Sequence, residues 1–225
     1  MQVPITKLVF LGASTAFYEV IEMIRLINLK ELKYEIIAIL DDNESTHGKL
    51  MNGVKVEGSL DLVKNYPDAK FIFGIGSMKT RFIRRKILDR IGLPDDRFET
   101  IIHPTANIDR SATIGHGCII HPGVAIGNDA VLESFVIVAV NSAIGPYARL
   151  EQFAMVTSLV VILTGARIGR ATFVGSCSCV TENVVVERGC MIGAGTVVSR
   201  NIVEGSFFLG NPARLISKIE IEDNI

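Results

Sequence analysis

The sequence predicts a small α/β domain followed by a parallel β-helix. Two observations point to the helix. Every sixth position from 102 to 198 is Ile, Leu or Val. The residue two places before each of these is small or compact, from Ala106 to Thr196: Ala, Ser, Thr, Cys or Val. A third points to the α/β part. Before residue 98, short apolar runs ending in Gly or Asp alternate with segments of helical spacing. A period of six matches neither an amphipathic α-helix nor an alternating strand. It suits a prism whose aliphatic residues fill the interior while small residues sit where the wall turns. Three hexads make one coil, so residues eighteen apart stack at roughly 4.8 Å.

Residues 6–14 read as a buried strand ending in the turn Gly12-Ala13-Ser14, and residues 16–29 as a helix with Phe17, Val20, Ile21, Ile24 and Ile27 on one face. A second buried strand spans 34–40 and ends in Asp41-Asp42-Asn43. A short strand follows at 54–56, then a helix to Lys64 with Ser59 as N-cap. Residues 70–76 give a further strand running into Gly74-Ile75-Gly76, and 78–91 a basic amphipathic helix stopped near Gly92 and Pro94. This βαββαβα order places a doubly wound, mostly parallel sheet in residues 1–97. The prism and its cap take 98–225, with the stretch around residues 207–214 closing the open end as a turn and short tail, and residues 220–225 expected to fray.

A chain of 225 residues has room for these two domains. Lys and Arg number 23 against 24 Asp and Glu, so there is no basic surplus for nucleic acid or an anionic membrane surface. No apolar run reaches the roughly 18 residues of a membrane span. The N-terminus lacks the long apolar region of a signal peptide, which points to the cytoplasm. Cys118 and Cys190 occupy the small inward slot. Cys177 and Cys179, two apart, are expected on one face of a strand. All four read as reduced thiols.

Ligands of open α/β sheets sit at the carboxyl ends of the strands. The turns there could bring backbone N–H groups to a phosphate, and the acidic pair could receive a ribose or base donor. G-x-G-x-x-G is absent after the first strand, which argues against NAD.

Several pieces in fixed order across both domains resemble one family: Gly12-Ala13-Ser14, Leu40-Asp41-Asp42, Gly74-Ile75-Gly76, Ile102-His103-Pro104, the run Ile192-Gly193-Ala194-Gly195-Thr196, and Gly210-Asn211-Pro212-Ala213-Arg214. The chain is similar to the hexapeptide-repeat sugar acetyltransferases typified by sialic-acid O-acetyltransferase and bacillosamine N-acetyltransferase. The resemblance implies a left-handed β-helix and a homotrimer with prisms side by side. It implies acetyl-CoA as co-substrate between prisms, contacted around Gly193, Ala194 and Gly195. A nucleotide-linked sugar would be held by Gly12, Ser14, Asp41 and Gly74, and a histidine would act as general base. The implied reaction is N- or O-acetylation in bacterial surface-glycan synthesis.

The chain departs from the family at the base. The register puts that histidine at Pro146, its acidic neighbour at Gly145 and a usual Asn at Ala139. His121, one coil below Ala139, is one replacement candidate, and His116, in the matching slot of an earlier hexad, another. His103 belongs to the turn opening the prism, and Glu133 and Glu151 read as solvated acids. Two further readings stand beside the transferase. One is an inactive or non-standard homologue that binds sugar nucleotide or CoA. The other is a zinc enzyme, since the spacing of His116 and His121 resembles that of β-helical carbonic anhydrases. Zinc catalysis needs a third ligand, and His103 is off that spacing, so no metal is expected.

Overall fold

The computed structural model describes residues 4–221. The outermost ends of both predicted domains, and most of the stretch expected to fray, lie outside the described residues.

In the α/β part, strand β1 (Thr6–Leu11) leads to helix α1 (Thr15–Lys30) and strand β2 (Tyr34–Leu40). A hairpin of β3 (Leu50–Met51) and β4 (Val54–Gly58) follows, then β5 (Lys70–Phe73) and helix α2 (Arg84–Ile91). The sheet order is β3-β4-β2-β1-β5, parallel except for the β3–β4 pair. Leu8 to Leu11 are wholly buried because both faces of β1 are covered, which explains its unbroken apolar run. Phe17, Val20, Met23 and Ile24 form the buried face of α1, while Ile21 and Ile27 of the expected face are only partly buried.

Two local expectations change. The helix after Ser59 is a 3₁₀ segment, Leu60–Asn65, and the Ser59 side chain makes no cap bond. Asp42 Oδ1 accepts the Leu60 N–H instead, at 3.1 Å. Helix α2 begins at Arg84, not at 78. Residues 78–83 form tight turns, with the Thr80 N–H donating to Ser77 O and the Ile83 N–H to Thr80 O, three residues back.

The prism is a left-handed β-helix of two-residue strands on three faces. The first face runs from Ile101–Ile102 to Met191–Ile192, the second from Asn107–Ile108 to Val197–Val198, and the third from Thr113–Ile114 to Val185–Val186. Neighbours pair eighteen apart, as Ile126 does with Ile144. The predicted aliphatic column is buried from Ile120 upward, and Ile102, Ile108 and Ile114 of the lowest coil are partly buried. Capping is done by a hairpin, Ser206–Leu209 with Arg214–Lys218, rather than by a turn and tail. Its first strand continues the first face, pairing Phe207 with Met191, and Phe208 and Ala213 join the prism core.

The α/β part sits on the lower coils of the first face. Phe73, Phe98, Phe135 and Phe153 form one edge-to-face and stacked aromatic group with centroids 5.0–5.8 Å apart along Phe73–Phe135, Phe98–Phe135 and Phe135–Phe153. Phe135 and Phe153 occupy left-handed turn positions, φ 64° and 65°, a costly conformation for a bulky residue that their complete burial offsets. Arg84 ties the two parts together. It is wholly buried, and its guanidinium donates to Phe135 O at 2.8 Å and Phe153 O at 3.2 Å. Burial pulls its pKa down to about 9, which leaves it charged at neutral pH.

Candidate functional site

Gly12, Ser14, Asp41 and Gly74, read from separate turns, line one cavity of about 290 Å³ at the carboxyl ends of β1, β2 and β5. Ser77, Thr80, Ile83 and Ile87 form its other wall. The glycines are required by geometry. Gly12 has φ 105°, and a Cβ there would lie 2.8 Å from Ile75 Cγ1. A Cβ on Gly74 would fall 2.2 Å from the Phe10 ring. Asp41 is a brace as well as a lining group: Oδ2 accepts the Ala13 N–H at 2.5 Å and Oδ1 the Asn43 N–H at 2.7 Å. Its neighbour Asp42 is bonded to Arg90 at 2.6 Å.

The cavity's last glycine turn rests on the prism. A Cβ on Gly76 would lie 2.7 Å from Ile137 Cδ1 and 3.5 Å from Met155 Cε. Two residues beyond Ile137, Ala139 enters the wall of a second cavity, about 440 Å³, between α1 and the prism corner. Glu19, Glu22, Met23 and Leu26 line its helix side, and His103, His121, Pro122, Val140 and Ser158 its prism side. The imidazoles of His103 and His121 are nine-tenths buried or more. His121 Nδ1 is 3.8 Å from Glu19 Oε2. Burial lowers the His121 pKa; Glu19 opposes that shift and His103 adds to it. His103 is likewise held below its ordinary value, by burial and then by Lys30. Sequence reasoning missed Glu19, because it lies over a hundred residues from His121 and carries no local motif.

His103, His121, Ala139, Thr157, Gly175 and Gly193 are spaced eighteen apart and form one column up the corner between the first and second faces. The Gly193, Ala194 and Gly195 turn therefore stands above His121 by four strand spacings, roughly 19 Å. Ala194 and Gly195 are exposed, and the space beside a Gly195 Cβ is open.

The mapped base position differs in kind. Gly145 borders a shallow groove of about 390 Å³ along the second face, with Gly127, Asn128 and Leu163. A Cβ on Gly145 would lie 2.8 Å from Thr164 N and 2.9 Å from Leu163 C, backbone of the next coil. Pro146 in turn packs over Gly127, where a Cβ would lie 2.8 Å from Pro146 N. An acid at 145 has no room in this coil.

Other candidates do not join a site. His116 uses its carbonyl to accept the Phe135 N–H at 2.8 Å, and it lies outside the histidine cavity. Glu133 and Glu151 are not simply solvated: each pairs with an arginine, Arg149 and Arg167, and accepts a backbone N–H, of Gln152 and Arg170, at 3.0 Å. Cys177 stands at a left-handed turn, φ 61°, while Cys179 is in a strand, so the alternation that would put them on one face does not hold. Among the described residues no group of three His, Cys, Asp or Glu is placed to hold a metal ion, so His103, His116 and His121 do not converge on zinc.

The family model of the PglD N-terminal domain matches residues 7–91, and that of the GMPPB C-terminal domain matches 98–208. UDP-N-acetylbacillosamine N-acetyltransferase of Bacillus subtilis (strain 168) is 33% identical over 86 residues, 37% of this chain and 38% of that protein's length. The acetyltransferase domain of PglB from Neisseria gonorrhoeae FA1090, in complex with acetyl coenzyme A, superposes with a TM-score of 0.81 at 25% identity. That alignment covers 95% of this chain and 100% of the other. PerB from Caulobacter crescentus, in complex with CoA and GDP-perosamine, is alike in fold, with a TM-score of 0.79 at 22% identity over 95% of this chain and 99% of that one. In domain order, in sequence over the matched segment and in fold along nearly its whole length, the chain is similar to the bacillosamine N-acetyltransferase-like hexapeptide-repeat sugar acetyltransferases.

Proposed function

We propose that the protein transfers an acetyl group from acetyl-CoA to an amine or hydroxyl of a nucleotide-linked sugar, in bacterial surface-glycan synthesis. The observation that carries this reading is the placement of the histidine cavity. The Gly76–Ile137 contact stands between it and the strand-end cavity, and it lies at the foot of the column rising to Gly193. In this reading Gly12, Ser14, Asp41 and Gly74 hold the nucleotide, and the sugar reaches over Ala139 toward His121. The CoA arm descends the corner from Gly193, Ala194 and Gly195. His121, neutral because burial lowers its pKa, takes the proton of the acceptor as the new N–C or O–C bond forms. Collapse of the tetrahedral intermediate breaks the C–S bond, and the thiolate leaves and is protonated.

The outward residues of the second face, Asn107, Ala125, Ala143, Val161, Cys179 and Val197, are all uncharged and none is bulky, which suits a side-by-side homotrimer. Residues 1–97 serve as the nucleotide domain and 98–225 as the acyl-transfer domain. Four free cysteines suit the reducing cytoplasm, where acetyl-CoA is made. The described helices include none long and apolar enough to cross a membrane.

Incubation with acetyl-CoA and a panel of nucleotide-linked amino sugars, read by mass spectrometry, tests the reading. A product heavier by one acetyl group is expected. The steric closure at Gly145 and Pro146 favours a second reading, a binder without turnover. That reading is supported if calorimetry shows sugar nucleotide or CoA binding while no product forms.

A further inference from the structure

We propose that Glu19 is the positioning residue for His121, directing its Nδ1–H so that the Nε2 lone pair faces the bound acceptor, and that His103 offers the same cavity a fixed Nε2–H donor. The assignment rests on the acetyl-transfer reading above.

The tautomer of His103 follows from its bonds. The Thr105 N–H donates to His103 Nδ1 at 3.1 Å. Thr105 Oγ1 lies 2.8 Å from the same nitrogen and accepts the Gly123 N–H at 3.2 Å; with Nδ1 already accepting the Thr105 N–H, the hydroxyl can meet that nitrogen only as a second donor. Nδ1 therefore carries a lone pair and Nε2 the proton. Lys30 opposes any second proton on this ring. His103 is a neutral N–H donor, not a base.

His121 is set up differently. The facing groups are Glu19 and Glu22 from α1 and His103 from the coil below. Glu22 is already held by Arg25 at 2.7 and 2.8 Å. Glu19 has no such arginine partner among the described residues, and its Oε2 stands on the Nδ1 side of the ring at 3.8 Å. That distance is long for a hydrogen bond, and such contacts tighten when substrate closes a site. A carboxylate on Nδ1 favours proton uptake at Nε2, as a proton acceptor requires. Two imidazoles one coil apart are thus given opposite roles by Glu19 and Lys30.

The test uses the intact protein labelled with ¹⁵N-histidine, whose four histidines give separable long-range ¹H–¹⁵N signals. His103 is expected as the Nε2–H tautomer across neutral pH. Glu19→Gln should lower the titration midpoint of His121. In turnover, Glu19→Gln should reduce kcat about tenfold with KM little changed, and move the acid limb of the pH profile with the His121 midpoint. His121→Ala should lose about a hundredfold or more. A His121 midpoint indifferent to Glu19→Gln, or wild-type turnover in either variant, overturns this assignment and leaves the transferase reading intact. Absence of turnover in the wild type across the panel overturns that reading and this assignment with it.

Discussion

Arg84 is a cation buried without a carboxylate among its described partners, and it contributes through backbone carbonyls instead. Its planar fork spans Phe135 O and Phe153 O in successive coils, and its face lies against the Phe73 and Phe153 rings at 5.4 and 5.1 Å. Arg84→Met would strand two buried acceptors, and a loss of about 2–4 kcal/mol in urea unfolding is expected. Arg84→Lys should recover only part, because one ammonium cannot follow the fork. Protonation of His121 acts on stability with a definite sign. Its folded pKa lies below the unfolded value, so the unfolded chain binds the extra proton first as pH falls. Stability is therefore highest above the unfolded value and declines as pH falls through it toward the lower folded value. Thermal scans above and below the ordinary imidazole pKa should show a drop in Tm at the lower pH that is smaller in His121→Gln.

At the scale of one coil, the rung at Ile144 shows how packing and chemistry compete. The hexad keeps Ile144 inward and buried. The glycine after it lets the next coil close to within 3 Å of where a Cβ would stand. Gly115, Gly127, Gly169 and Gly175 occupy equivalent steps with the same close approach to backbone. Replacing Gly145 and Pro146 by Glu and His, to restore the family's pair, is thus expected to open the coil. A lower Tm than wild type, with no gain in acetyl transfer, should result. An unchanged Tm would mean that the coil yields more easily than its contacts indicate. The aromatic step is the counterpart. Phe153→Ala removes a wholly buried ring stacked on Phe135 and should cost about 3–5 kcal/mol in denaturant unfolding. At this scale the sequence was legible where one rule acts alone. It was misleading at residues 78–83, where helical spacing is overridden by turns that lead into the anchored Arg84.

For the whole molecule, the two parts share one core. Phe71 and Phe73 of β5 pack with Phe98, Phe135 and Phe153 in a single cluster, and Phe71 bridges to Phe98 through the backbone. Heating should therefore give one transition seen alike by near-UV and far-UV circular dichroism, not two. The proposed assembly concerns the second face of the prism. Val161 is 37% exposed in the middle of the uncharged second face, and Tyr147 and Leu159 near it are more than half exposed. If the proposed trimer uses this face, Val161→Glu should convert a particle of about three chains' mass to a monomer in sedimentation equilibrium, because an unpaired charge would be buried there. A wild-type monomer would refute the trimer directly.

The sequence by itself determined the prism, the four parallel strands of the α/β part and the glycine turns at the strand ends. These rest on periodicity and on local backbone geometry, which neighbouring residues encode. Only the tertiary structure decided what faces what. It closed the Gly145 position by the backbone of the next coil, and set Gly76 on Ile137. It also placed Glu19 beside His121 and left His116 outside the cavity that His103 and His121 share. Each of these depends on a contact between distant residues, where one coil or one domain limits the space left by another, and no spacing along the chain records it.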